Sequence, residues 1–130
     1  MPVPAGEAFS ADQRAEVVRA IRNADTVSGF RFSVYVGASE GETRPFAERL
    51  HAALEEPADS VLVLVDPAAR RLEIVTGVRV GAVLDDSEAG LAALAMQSAF
   101  AAGNLVGGIC AGVQMLGEHA RRAPSLHTRH

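Results

Sequence analysis

Four acidic side chains between residues 66 and 88 have the chemistry of cation ligands. Asp85, Asp86 and Glu88 lie within four residues of one another, directly after the segment TGVRVGAVL. Asp66 ends the apolar run SVLVLVD and could meet them at one edge of a sheet. Because Ca²⁺ prefers six or more oxygen ligands, several of them from carboxylates, these four residues are the candidate ligands of a Ca²⁺ or Mg²⁺ site.

Helix capping is a second explanation for the same acidic residues. Asp85 followed three residues later by Glu88 is a capping-box pattern, which satisfies free backbone N–H groups at the start of a helix. Such a cap stabilises a helix by about 1 kcal/mol, and acidic residues in the first turn also interact favourably with the helix dipole. We favour capping and keep ion binding as the competing hypothesis.

A short segment around Ser39 matches a hydrolase motif. GASEG fits the pattern G-x-S-x-G, and Asp66 or Asp85, then His119, follow in the order of a hydrolase triad. In a true nucleophile elbow the helix begins directly after the serine, whereas here the residues up to Pro45 delay it. We therefore interpret the match as coincidence and do not expect catalysis at Ser39.

The remaining reactive side chains predict no strong site. His119, His127 and His130 could gather a transition metal near the end of the sequence, but zinc sites need preformed geometry with supporting hydrogen bonds. Cys110 is the single cysteine and lies among small apolar neighbours, so an inert buried thiol is expected. His51 is expected at the boundary between core and solvent.

Charge and composition narrow the range of partners. The formal net charge is −4, and all twelve cationic residues are arginines, paired in sequence only at 70–71 and 121–122. This distribution gives no basic surface of the kind that nucleic acid binding requires. No glycine-rich nucleotide-binding motif occurs. The expected partner is therefore a protein or a small ligand, and the sequence leaves the oligomeric state open.

Length and hydropathy predict one small domain. A chain of 130 residues fits a single domain over 1–130, with irregular tails at 1–8 and 124–130. The start MPVPAGEAFS lacks the basic and apolar regions of a signal peptide, and GNLVGGICAGVQMLG is too short and glycine-rich to span a membrane. We expect a cytoplasmic protein without membrane contact.

Helix and strand signals alternate in the first half of the chain. Ser10 and Gln13 form a capping box before an amphipathic helix, and FRFSVYVG alternates like a strand with one buried face. A second helix is predicted from about Thr43 to Glu56, ended by Pro57. SVLVLVD predicts a central strand buried on both faces, and PAAR a turn that pairs it with RLEIVTG in a hairpin.

The second half of the chain predicts two helices. VRVGAVLDD is interpreted as a connection with a short extended piece, after which Asp85 begins a helix. Gly103 and Asn104 are suited to end that helix and to begin the next, whose glycines predict close packing against another backbone. The predicted buried face of the first of these helices consists of Leu91, Leu94, Ala95, Ser98 and Ala99.

This order of elements indicates the fold class. An antiparallel hairpin within alternating helices and strands predicts an α/β fold, namely a three-layer α/β/α sandwich with a small mixed sheet of three to four strands.

From Phe30 to His119 the chain resembles the TPM domain, named from thylakoid lumen, photosystem II repair and receptor-modulating proteins. The resemblance is carried by FRFSVYVG, FAERLHAAL, VLVLVDPAARRLEIVTG, GAVLDD and FAAGNLVGGICAGVQML, and is strongest to an actinobacterial branch of unknown function. It implies a TPM-like α/β/α module. Members of that family have been proposed as acid phosphatases, calcium-binding modules or modulatory factors. The matching acids are Asp86 or Asp85 in the loop, and Asp66 at the strand end.

Two functions are therefore carried forward. The first is a small non-catalytic binding or regulatory module. The alternative is a divalent-cation-dependent acid phosphatase that uses Asp66, Asp85 and Asp86 with Ca²⁺ or Mg²⁺.

Overall fold

The computed structural model describes residues 9–121, which form helices on both faces of one small sheet. The tails predicted at 1–8 and 124–130 lie outside the described residues. In chain order the elements are α1 (Ala11–Ser28), β1 (Arg31–Val36), α2 (Thr43–Ala52), a 3₁₀ helix (Pro57–Asp59), β2 (Ser60–Asp66), β3 (Arg71–Thr76), α3 (Val78–Gly81), α4 (Asp86–Ala101) and α5 (Leu105–His119).

A mixed three-stranded sheet in the order β1-β2-β3 is the middle layer. β1 runs parallel to β2, with Arg31 aligned to Ser60, and β2 runs antiparallel to β3, with Asp66 opposite Arg71. All seven residues of β2 are buried, as expected of a central strand. The predicted α/β class, the mixed sheet and the hairpin are confirmed.

Two apolar clusters lie on the two faces of the sheet. The larger cluster joins Val34 and Val63 of the sheet to Val17 of α1, Met96 of α4 and Ile109 of α5. The smaller cluster joins the opposite face of β2 to α2 and contains Leu62, Leu64, Val75, Phe46 and Ala47. The protein is therefore layered as helices, sheet and helix.

One face of β1 is buried, as the sequence predicted, and part of the other face is covered as well. Ser33 is only 8% exposed, and the ring of Tyr35 packs edge-on against Phe46 at a centroid distance of 5.6 Å. Arg31, on the same side of the strand, is exposed, so this face is only partly covered. Alternation predicted the buried face correctly but not the contact with Phe46, because that contact depends on tertiary packing.

α1 begins where the sequence predicted. The Ser10 hydroxyl accepts a hydrogen bond from Gln13 N at 3.1 Å, and Gln13 Oε1 accepts one from Ser10 N at 3.0 Å. Gly29 ends the helix with φ 81°, a left-handed conformation that glycine adopts without a steric penalty. The capping box is thus confirmed.

α2 is shorter than predicted, because it ends at Ala52 rather than near Glu56. Pro57 therefore does not end the helix, although this was predicted. It starts the 3₁₀ helix, for which its fixed φ and missing N–H are suited. His51, expected at the core boundary, is buried at 8% exposure, with Nε2 3.0 Å from the Ser60 carbonyl oxygen.

The connection after β3 is helical rather than extended. Gly77 N donates to the Ser60 carbonyl oxygen at 2.9 Å, which ends the strand, and α3 follows at once. Val80 and Leu84 enter the core at 0% and 2% exposure. Gly77 lies close to the backbone of the 3₁₀ helix here. Only glycine permits this approach, because a Cβ at this position would overlap the carbonyl oxygens of Pro57 and Ala58.

α4 faces the core with a different side from the one predicted. Ala92 and Met96 are fully buried, whereas Leu91 and Leu94 are 53% and 63% exposed. Met96 occupies space that Gly112 of α5 leaves open, since a Cβ there would overlap the Met96 side chain. The helix is apolar around most of its circumference, so packing against α5 decides its orientation.

α5 packs closely against both neighbouring helices, as its glycines predicted. A Cβ at Gly117 would lie 2.9 Å from Ala24 Cα of α1, and one at Gly108 would lie 2.8 Å from the Phe100 ring of α4. Neither α5 nor any other helix within residues 9–121 combines the length and the apolar character needed to cross a membrane.

Candidate functional site

A groove lies where the β2–β3 hairpin meets the connection between α4 and α5. It has a volume of about 510 Å³, within the range of about 300–1,000 Å³ typical of small-ligand sites. We call it the Asp66 groove. Its lining residues are Val65, Asp66, Pro67, Arg70, Arg71, Leu72, Gln97, Phe100, Ala101, Gly103 and Leu105.

Asp66 is a structural acceptor at the wall of this groove. It is 6% exposed, and its Oδ2 accepts a hydrogen bond from the backbone N–H of Ser39 at 3.0 Å. Its Oδ1 accepts another from Ala69 N at 3.2 Å within the hairpin turn. The carboxylate therefore holds two loops together, as aspartate at the start of a turn commonly does.

Two arginines are among the lining residues of the groove. Arg70 ends the hairpin turn and Arg71 begins β3, and both are exposed. Within residues 9–121 neither forms a salt bridge. Because side chains alternate along a strand, Arg71 lies on the α2 face of β3, opposite to Leu72, and Asp66 lies on the same face of β2.

Arg70 adopts an unusual backbone conformation. Its φ is 56°, and it is the one residue other than glycine with positive φ within residues 9–121. Glycine or asparagine normally takes this position of a turn, because an ordinary side chain there costs about 1 kcal/mol. PAAR contains neither of these residues, so no local signal identified Arg70 as the left-handed position.

The rest of the groove is mostly apolar. Leu72, Phe100 and Leu105 are partly buried and pack against the larger core cluster, while Val65 is 1% exposed beneath them. The exposed Gln97 adds an amide that can donate and accept hydrogen bonds. The groove thus combines an apolar surface with a few polar groups, as small-molecule sites usually do.

The acidic residues at the start of α4 form the predicted capping box. Asp85 Oδ1 accepts from Glu88 N at 2.9 Å, and Glu88 Oε1 accepts from Asp85 N at 3.1 Å. The other carboxylate oxygen of Glu88 lies 3.4 Å from His119 Nδ1 at the end of α5. Asp86 is exposed in the first turn. The capping interpretation is confirmed.

The structure does not bring the four predicted cation ligands together. Asp66 lies beside the end of α4 near Phe100, whereas Asp85, Asp86 and Glu88 lie at its beginning. A helix of 16 residues is about 24 Å long. Within residues 9–121 no group of three or more histidine, cysteine or acidic side chains has the arrangement to hold a metal ion. Ion binding by these residues stays a prediction.

Ser39 lacks the surroundings of a nucleophile. Its hydroxyl is buried and has no hydrogen-bond partner among residues 9–121, and its backbone N–H is the group that contacts Asp66. His119 lies at the opposite end of α4, beside Glu88. The G-x-S-x-G match therefore marks a loop anchored on β2, without the serine–histidine hydrogen bond of a triad.

A second groove, of about 540 Å³, lies along the line where α1 packs against α5. It forms because small residues such as Ala20, Ala24 and Gly117 line the helix crossing. Cys110 lines it and is half-buried, less buried than predicted. Burial, followed by the nearby charge of Glu16, raises the pKa of its thiol and so disfavours the reactive thiolate.

A family model for a domain of unknown function, DUF5130, matches residues 3–117. The chain therefore belongs to this family. The TPM assignment was wrong: the motifs that suggested it were a strand, a hairpin and a glycine-rich helix, which different families of one fold can share.

Solved structures with a similar fold come from several bacteria. The NMR structure of the BA42 protein from Bizionia argentinensis matches with a TM-score of 0.80 and 21% identity, covering 90% of this chain and 84% of that one. The N-terminal domain of cg2496 from Corynebacterium glutamicum gives 0.73 and 16%, covering 86% and 74%. An N-terminal domain from P. gingivalis gives 0.70 and 18%, covering 87% and 76%. At these identities the similarity establishes the fold alone.

Proposed function

We propose that this member of the DUF5130 family is a small non-catalytic binding module and that its ligand site is the Asp66 groove. The observation that carries the proposal is the groove itself. It joins the partly apolar surface of Leu72, Phe100 and Leu105 to a rim that includes Arg70 and Gln97. Proteins usually bind small ligands in concave, mostly apolar sites that contain a few polar groups.

The chemistry of the groove favours binding over catalysis. Asp66 already accepts two backbone hydrogen bonds, and the remaining polar side chains are Arg70, Arg71 and Gln97. Guanidinium and amide groups orient a ligand by hydrogen bonds, but at neutral pH they neither attack it nor exchange protons with it. These groups can select a ligand without transforming it.

Amide NMR with a set of small fragments tests the proposal. We expect the shifts of the fragments that bind to cluster at residues 65–72 and 97–105. Ala101→Trp should block binding, because a large ring at this lining residue fills the groove. Ala102→Trp is the matched control, since Ala102 is exposed but does not line the groove. Shifts that cluster elsewhere, or binding that survives Ala101→Trp, would refute the proposal.

A further inference from the structure

We infer that the ligand of the Asp66 groove is an extended peptide, which pairs with the outer edge of β3 at Leu72 and places one apolar side chain in the groove. The inference rests on the proposed function, because it names the class of ligand for the same groove. Two features carry it: unpaired backbone groups on the edge of the sheet, and their position at a residue that also lines the groove.

The backbone of β3 alternates between β2 and the outside of the sheet. Gly77 N donates to the Ser60 carbonyl oxygen at 2.9 Å. Because backbone groups point alternately to the two sides of a strand, the odd-numbered residues of β3 pair with β2. The even-numbered residues face outward, and among residues 9–121 no strand lies beyond them: Leu72, Ile74 and Thr76.

Arg44 of α2 reaches this outer edge and closes part of it. Its Nη1 donates to the Ile74 carbonyl oxygen at 2.9 Å and to Glu73 Oε1 at 3.2 Å, and its Nε donates to Glu48 at 3.0 Å. A charged side chain in this position limits strand pairing. The Leu72 N–H and C=O and the Ile74 N–H form no hydrogen bond within residues 9–121. The open part of the edge is therefore at Leu72.

The opposite edge of the sheet offers no such site. Asp25 of α1 accepts a hydrogen bond from Phe32 N at 2.8 Å, and Val34 and Val36 are 0% and 5% exposed. A peptide cannot reach the outward backbone groups of β1, whereas Leu72 of β3 is partly exposed.

Leu72 joins the open edge to the groove, because it also lines the groove. In an antiparallel pair, the peptide residue opposite Leu72 exchanges two hydrogen bonds with it, and its side chain lies on the same face of the sheet. That face is the one covered by α4 and α5, where Gln97, Phe100 and Leu105 line the groove. In such strand addition the backbone provides affinity, and the pocket selects an apolar side chain.

Three blocked pentapeptides test the inference on the full chain. Acetyl-Thr-Thr-Leu-Thr-Thr-amide carries both features, its N-methylleucine analogue lacks the N–H that faces the Leu72 carbonyl oxygen, and its alanine analogue lacks the apolar side chain. We expect the leucine peptide to shift the amides of residues 71–75 and 97–105 in NMR spectra. Each analogue should bind at least about tenfold more weakly, because each loses one of the two contacts.

A variant of Arg44 tests the edge itself. Arg44→Met frees the Ile74 carbonyl oxygen, so the leucine peptide gains a hydrogen bond and should bind about fivefold to tenfold more tightly. A gain in affinity cannot be assigned to unfolding. Arg22→Met, at an exposed site on α1, is the control for the loss of one positive charge and should leave the affinity unchanged.

Each outcome separates the two proposals. If the N-methylleucine and leucine peptides bind equally, or if only the fragments shift the groove amides, the peptide inference is overturned and the proposed binding function stands. An unchanged or weaker affinity in Arg44→Met likewise overturns pairing along the edge.

Two further results would also overturn the inference. Sedimentation and hydrogen exchange of the free chain test the other occupant: a dimer with protected amides at 72–76 would show that a second copy takes the edge. If neither the peptides nor the fragment set shifts the groove amides, both the inference and the proposed function fail.

Discussion

The carboxylate of Asp66 accepts a hydrogen bond from the backbone N–H of Ser39 at 3.0 Å, across 27 residues of sequence. This contact fixes the loop after β1 to the carboxyl end of β2. The same side chain also accepts from Ala69 N and so holds the hairpin turn. One buried residue therefore organises two of the loops at this end of the sheet, and the position of Arg70 depends on it.

Replacement of Asp66 should therefore destabilise the fold. Asp66→Ala leaves two backbone N–H groups without their acceptor and should lower the free energy of unfolding by about 1–3 kcal/mol. Ser39→Ala is the control, because the Ser39 hydroxyl is buried without a partner among residues 9–121 and its loss should leave stability unchanged or slightly raised. Urea denaturation measures both. Equal losses in the two variants would contradict this role for Asp66.

The capping box at α4 predicts a stability effect that does not depend on metal. Asp85→Ala removes the acceptor for Glu88 N and should cost about 1 kcal/mol. Asp86→Ala, in the same exposed turn, should cost less, because Asp86 is not the cap. The comparison is made by thermal denaturation in EDTA and in millimolar Ca²⁺. A loss that appears only with Ca²⁺, or Ca²⁺-induced amide shifts at residues 76–90, would favour the ion-binding hypothesis instead.

Local sequence patterns correctly predicted those structural features that depend on contacts between residues close together in the sequence. Both capping boxes, the buried β2 run and the PAAR turn were recognised correctly, because each depends on residues a few positions apart. The resulting order of elements was enough for the α/β class. The partial cover of the second face of β1 was missed, because it depends on tertiary contacts such as that between Tyr35 and Phe46.

The candidate groove could not be predicted from the sequence, because its walls come from segments that are far apart along the chain. Asp66 and Phe100 belong to different elements, and nothing in their local patterns places them together. The conformation of Arg70 was not predictable either, because PAAR contains neither the glycine nor the asparagine that marks a left-handed turn position. Local patterns likewise could not show how far apart the predicted ion ligands lie, because α4 separates Asp66 from the other three; ion binding by these residues stays a prediction.

Asp25 should make the stability of the protein depend on pH. Burial is the main influence and raises its pKa above the ordinary value near 3.8, although Phe32 N donates to its carboxylate at 2.8 Å and Arg31 is nearby. Because the pKa of Asp25 is higher in the folded state than in the unfolded state, the folded protein holds this proton more tightly. The contribution of Asp25 to stability is therefore fully present below pH 3.8 and is lost as pH rises through its folded-state pKa.

Asp25→Asn should therefore stabilise the protein at neutral pH. Asparagine removes the buried charge, and its Oδ1 can still accept from Phe32 N. The gain should shrink as pH falls through the titration of Asp25, above 3.8. Thermal melts between neutral and acidic pH measure it, with Glu16→Gln on the same helix as the control for the loss of one negative charge. A gain that grows toward low pH would show that the sign is wrong.

Two glycines in different surroundings should respond oppositely to alanine. Gly117→Ala places a Cβ 2.9 Å from the Cα of Ala24, so α1 and α5 must separate and stability should fall by about 1–3 kcal/mol. Gly90→Ala in α4 meets no atom within 4 Å and should stabilise by up to about 1 kcal/mol through helix propensity. Urea denaturation distinguishes them. A stabilising Gly117→Ala would contradict the close packing of α1 and α5.

The orientation of α4 predicts unequal roles for two apolar side chains that lie only two positions apart. Met96 is fully buried against the space left by Gly112, so Met96→Ala opens a cavity and should cost about 2–5 kcal/mol. Leu94 is 63% exposed, so Leu94→Ala should change stability by no more than about 0.5 kcal/mol. The sequence pattern, which placed Leu94 on the buried face, predicts a large loss for Leu94→Ala. Chemical denaturation of the two variants decides between them: a loss at Leu94 as large as that at Met96 would show that α4 presents its leucines to the core.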